Sequence, residues 1–137
     1  MPESFKASTI AAVTDCHEAS EAGRLNFPQI LAALAAVGIE GYSVDYRRST
    51  RTYYQPDGDS LELSFPPLGV AVAEAFDAAT IQSGIREAQT NAPGYTYHGF
   101  CRKVMAAGCA GYVVSLLGRR VVYFGRTAET HVELMPG

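Results

Sequence analysis

Four stretches of the chain carry apolar residues at helical spacing, and the stretches between them alternate as strands do. STIAAVTDCHEASEAG sets Ile10, Val13 and His17 on one stripe and stops at Gly23. FPQILAALAAV follows Asn26, a good N-cap, and tolerates Pro28 in its first turn. DAATIQSGIREAQTN offers Asp77 as N-cap and Ile81, Ile85 and Ala88 as the buried stripe, ending near Asn91 and Pro93. YHGFCRKVMAAG follows Thr96, and Gly38 and Gly108 stand just past their helices, where a left-handed stop is expected.

The alternating segments predict two hairpins. In the first, Tyr42, Val44 and Tyr46 share one face while Ser43, Asp45 and Arg47 share the other, as in a half-exposed strand. Loops centred at 47/48 and 117/118 would set Tyr42 opposite Tyr53 and Tyr112 opposite Tyr123. In the second hairpin, Val113, Val122 and Phe124 make the other face apolar too, which predicts a central place for it and an edge for the first. LELSF at 61–65 and HVEL at 131–134 add a short third strand to each.

These elements repeat at an offset of seventy. GIEGYSVDYRRSTRTYYQPDGDS lies over GCAGYVVSLLGRRVVYFGRTAET without a gap, matching Gly38 to Gly108, Gly41 to Gly111, Tyr42 to Tyr112, Val44 to Val114 and Tyr53 to Tyr123. Internal duplication explains this pattern; convergence of small repeated units is the alternative. The expected fold is α+β: one domain of two ααββ(β) repeats, about 1–66 and 70–137, joined at PPLG. Their antiparallel hairpins would share a sheet, with helices packed on it. A pseudo-two-fold arrangement would leave a cleft between the halves, with Tyr42, Tyr53, Tyr112, Tyr123 and Arg126 as its expected lining.

Composition limits the options. With 137 residues and 47% hydrophobic content, the chain suits one core without staples. The longest apolar run, ILAALAAVGI at 30–39, is too short to span a bilayer, so no membrane partner is expected. MPESFKASTIAAV reads as no export leader. Three cysteines without CxxC spacing suit a reduced compartment, and the expectation is a cytoplasmic protein. A net charge of −3 disfavours general nucleic-acid coating.

PGYTYHGFCRKVMAAGCAGYVVSLLGRRVVYFGRTAETHVE in the second half and GYSVDYRRSTRTYYQPDGDSLEL in the first resemble a bacterial and prophage-borne family of unknown function, DUF1398. Its members are often labelled phage envelope protein. The resemblance covers nearly the whole chain. It implies no particular activity, cofactor or catalytic residue.

Three constellations carry candidate chemistry. Cys101 lies three residues from His98, but the repeat sets Cys101 over Leu31 and Cys109 over Ile39, which are apolar positions. Core packing is expected for both, and for Cys16. Within ETHVE, Glu129, His131 and Glu133 would share a face if extended, as a metal site or an acid–base group; if helical, His131 turns away. Asp59 and Ser60 lie over Glu129 and Thr130, a shared turn chemistry, whereas His131 and Glu133 replace Leu61 and Leu63. Arg47, Arg48 and Arg51 at one hairpin tip and Arg119 and Arg120 at the other, beside aromatic strands, have the composition of an anion or single-strand nucleic-acid surface. The plainer reading is that they keep strand edges soluble.

The leading expectation is a non-enzymatic ligand-binding or interaction module for a small molecule or protein, with no metal or cofactor and a homodimer as one of its expected states. The alternatives are an enzyme using Glu129, His131 and Glu133, or an anion- or nucleic-acid-binding accessory protein acting through the arginine-rich tips.

Overall fold

The computed structural model describes residues 5–135, so the leader reading lies partly outside the described residues. The element order is α1 (Ala7–Glu21), α2 (Phe27–Ala36), β1 (Gly41–Asp45), β2 (Thr50–Tyr54), β3 (Ser60–Ser64), α3 (Ala78–Thr90), α4 (Tyr97–Ala106), β4 (Cys109–Ser115), β5 (Arg120–Gly125) and β6 (Thr130–Leu134). The expected α+β fold of two helix–helix–hairpin halves is therefore present.

Local chemistry explains the helix ends. Asn26 accepts from the Gln29 backbone N–H, and the Gln29 side chain accepts from that of Asn26, each at 2.9 Å. Asp77 and Thr96 accept from the backbone N–H of Thr80 and Gly99. Asn91 closes α3 in the left-handed region at φ 48°. Gly38 and Gly108, at φ 82° and 98°, turn the chain out of α2 and α4.

The six strands form one antiparallel sheet in the order β3-β2-β1-β4-β5-β6. Tyr42 pairs with Tyr53 and Tyr112 with Tyr123, as the hairpin register predicts. The halves meet along β1 and β4, where Ser43 stands opposite Val113 and each flanking pair is the symmetric counterpart of another. Tyr42 opposite Val114 thus mirrors Val44 opposite Tyr112. The repeat-related glycines make this seam possible. A Cβ at Gly41 would strike the Val114 carbonyl oxygen, and one at Gly111 that of Val44.

The sheet has one covered and one open face. Tyr42, Val44, Tyr53, Tyr112, Val114, Val121 and Tyr123 point inward and are buried. Over them α1 reaches β3 and α4 reaches β4, while α2 pairs with α1 and α3 with α4. Two expectations need correction. The second hairpin is no more central than the first, because each supplies one seam strand, and each half's third strand is an edge. Apolar residues on its other face did not signal burial: Val113 is 44% exposed. In α1 the buried stripe runs through Val13, Cys16, His17 and Ser20, leaving Ile10 39% exposed, because this face looks toward β3 and α4.

Candidate functional site

The tyrosines form a layer rather than a cleft lining. Their rings follow one another across the sheet as Tyr53, Tyr42, Tyr112 and Tyr123, with centroids 5.5, 6.3 and 5.4 Å apart. All four are buried, so the expected tyrosine-lined cleft between the halves is instead a filled core. Burial raises each phenol above its ordinary range, that of Tyr53 to about 12. These hydroxyls stay neutral.

Arg51 departs furthest from expectation. It is no hairpin-tip charge but lies on the inner face of β2, only 3% exposed, between Val44 and Leu63. The seventy-residue offset places it over Val121, which occupies the matching inner position of β5. Its guanidinium donates to the Tyr97 hydroxyl at 2.7 Å and to His17 Nδ1 at 3.0 Å. Glu21 lies 3.5 Å away and shares its carboxylate with His98 Nε2 at 2.8 Å. The rings of Phe65 and Tyr97 sit 5.5 and 5.7 Å from the charge. Tyr97 passes the chain of contacts to Tyr112 at 3.0 Å. One side chain thus ties α1, β2, α4 and β4 together. The parity of Arg51 with Tyr53, and Val121 in the other half, were the available signals.

His17 is fixed by its neighbours. Its Nε2 lies 3.0 Å from the Ser64 carbonyl oxygen and must donate to it, which leaves Nδ1 to accept from Arg51. Tyr53 Oη lies 3.3 Å from the same nitrogen. Burial first, and then the Arg51 charge, hold the His17 pKa below its ordinary value. The ring is therefore neutral. The three cysteines are buried and unpaired, and burial raises their pKa values, that of Cys109 to about 12. None of the three sits in the electropositive, open setting that a nucleophile needs. His98 bonds Glu21 rather than Cys101, which closes the Cys–His reading.

ETHVE divides in two. Gly125 N–H donates to the Glu129 carbonyl just as Gln55 N–H donates to that of Asp59, so the same turn closes both outer hairpins. The Glu129 carboxylate accepts from Thr127 Oγ1 at 2.7 Å and stays in that turn, apart from the other two residues. His131 and Glu133 do converge, with Nε2 and Oε1 2.8 Å apart on the inner face of β6. His131 also lies against Tyr123, centroids 6.4 Å apart. Among the described residues no three His, Cys, Asp or Glu side chains gather in a way that could hold a metal ion.

The arginine tips do not form one surface. β1 and β4 are antiparallel, so the turns that follow them leave the sheet at opposite ends. Arg47 and Arg48 lie at one end and Arg119 and Arg120 at the other, separated by a strand length of roughly 15 Å or more. Arg126, in the β5–β6 turn, falls at the Arg47 end. There, Arg47 and Arg126 line an open cleft of about 610 Å³ with Tyr46, Ser49, Met105 and the segment 67–72. This segment has no regular structure. It is held where Ala73 N–H and Asp77 N–H donate to the carbonyls of Met105 and Ala107 at the end of α4. Arg126 Nη1 donates to the Val72 carbonyl at 3.3 Å. Among the described residues no carboxylate lines this cleft. A second open cleft, of about 780 Å³, lies over Glu21, His17, His98 and Arg102; Glu18 and Glu21 give it both signs of charge.

Fold and site together define a two-layer α+β protein, a doubled unit with a cationic cleft at the join. No family model matches the chain, and no curated protein matches it. Among the described residues no helix is long and apolar enough to cross a membrane.

Proposed function

We propose that this protein is a non-enzymatic binding module for a small anionic molecule, carboxylate or phosphate, held in the cleft at the join of the two halves. The observation that carries this reading is the convergence of Arg47 from the first half and Arg126 from the second on one cleft that, among the described residues, no acidic side chain lines. Guanidinium groups grip such anions through paired N–H donors, and among the described residues no carboxylate of the cleft lining competes for them. Main chain and apolar groups from Gly69, Val70 and Met105 would pack against the rest of the ligand. We also propose a cytoplasmic setting, supported by three unpaired thiols.

The experiment is a thermal-shift screen of small carboxylates and phosphates against the wild type and the Arg47→Ala/Arg126→Ala variant. A ligand at a hundred times its Kd stabilises by roughly 2.7 kcal/mol. The expected result is a saturable rise in melting temperature that the double variant loses. An equal rise in both proteins, or none with any anion, overturns the reading.

A further inference from the structure

The two edges of the sheet are treated differently. At β3 the edge is blocked. Phe65 N–H donates to the Ser49 carbonyl, so odd-numbered residues here turn their backbone toward β2 and even-numbered ones turn it outward. The outward carbonyl of Ser64 is already occupied by His17 Nε2. Glu62 stands at the middle of the strand, and Pro66 and Pro67 follow it. Each is a recognised way to stop a strand from pairing further.

β6 differs at its middle, where Val132 stands at the position of Glu62; its carboxylate, Glu133, turns to the inner face and bonds His131, and Pro136 follows it in the sequence as Pro66 follows β3. Gly125 N–H donates to Glu129 and Met135 N–H to Arg119, so Thr130, Val132 and Leu134 direct their backbone groups away from β5. Among the described residues no strand pairs with that side. Val132 and Leu134 are 44% and 66% exposed on the open face. Val132 continues a row of directly opposed valines, Val113, Val122 and Val132.

We infer that β6 is a self-association edge, and that it pairs antiparallel with β6 of a second copy about a two-fold axis at Val132. The charges select the partner and the register. With the axis at Val132, each His131 stands opposite the second copy's Glu133 on the inner face, in a close pair without backbone bonds. Shifting the axis to residue 131 would set histidine against histidine, and shifting it to 133 would oppose two glutamates. Only the central register matches unlike groups. On the open face it joins the two valine rows into one apolar stripe, and about six backbone hydrogen bonds link the strands. This gives His131 and Glu133 a reason to replace the leucines of the first half. The contact is isologous and closes after two copies, because the β3 edge is blocked.

The test is sedimentation equilibrium of the full chain from micromolar to millimolar concentration. Wild type should dimerise. Glu133→Lys should weaken the dimer at least tenfold, and so should Val132→Lys, which opposes like charges on the axis. The charge exchange His131→Glu/Glu133→Lys restores opposite signs across the axis and should restore association. Glu62→Lys on the β3 edge is the control and should change nothing. Circular dichroism and urea denaturation establish that each variant is folded. A wild type that stays monomeric throughout overturns the inference. So does a dimer that survives folded Val132→Lys, or one that Glu62→Lys abolishes.

Discussion

At the scale of single residues, the pseudo-repeat acts as an internal control. Val121 shows that the fold accepts an apolar side chain at the position that Arg51 fills in the other half. A buried charge is a weak source of net stability, yet removing it strands its partners. Arg51→Ala should therefore destabilise by about 2–4 kcal/mol, since Glu21 keeps only His98 and a void opens beneath Phe65. Arg51→Val, which fills more of that space, should lose at least about 1 kcal/mol less. Urea denaturation of both variants decides it, and equal losses would show that the charge matters more than the volume. His17 gives a pH signature. Unfolded, it takes up a proton near 6.5; folded, burial and Arg51 delay protonation to lower pH. Across that interval the unfolded chain binds more protons, so the stability contributed by the neutral ring is complete above about 6.5 and lost as pH falls through the folded pKa. His17→Gln should flatten the fall in unfolding free energy below pH 6.5 relative to wild type. Parallel curves would refute the assignment. The sequence pointed to core cysteines at Cys101 and Cys109, and both are buried. It misled at Arg51, because two exposed arginines nearby made it look like part of a tip, although its strand parity matched Tyr53.

At the scale of elements, local signals carried most of the information. Asn26, Asp77 and Thr96 cap the helices they precede, and both tyrosine pairs fall in the expected register. Capping and hairpin pairing depend on neighbours in sequence, so a single chain displays them. Cover on the sheet depends on distant segments, and so the open outer face of β4 and β5 was not legible. The glycines closing α2 and α4 separate these two kinds of constraint. Gly38 and Gly108 have the same left-handed turn, but a Cβ at Gly38 meets nothing, whereas one at Gly108 runs into the backbone of Ala75 and Phe76. Gly38→Ala should then lose only the conformational term, roughly 1–2 kcal/mol. Gly108→Ala should lose clearly more, because the linker must shift off α4. Denaturant midpoints test this; matched losses would mean that the linker yields freely.

At the scale of the whole molecule, the two-fold logic that joins β1 to β4 inside the chain recurs at β6 between chains. Both contacts are antiparallel, and both place a repeat-specific residue near the axis. The cleft of Arg47 and Arg126 was only partly legible beforehand. Arg126 was expected in a cleft between the halves, but one lined by the four tyrosines that are in fact buried, and Arg47 joins it through a sheet order and a linker path that no local pattern reveals. Self-association has a thermodynamic mark that is independent of the sedimentation measurement. When folded dimers melt to unfolded monomers, mass action ties the melting temperature to chain concentration. With an unfolding entropy of about 2.1 cal/mol/K per residue in each of the two chains, each tenfold rise in concentration should raise the melting temperature by roughly 2.5 °C once dimers dominate. Folded Val132→Lys should melt at one temperature whatever its concentration. A concentration-independent wild type would place β6 among edges that stay solvated, and a slope retained in Val132→Lys would move the contact to another face.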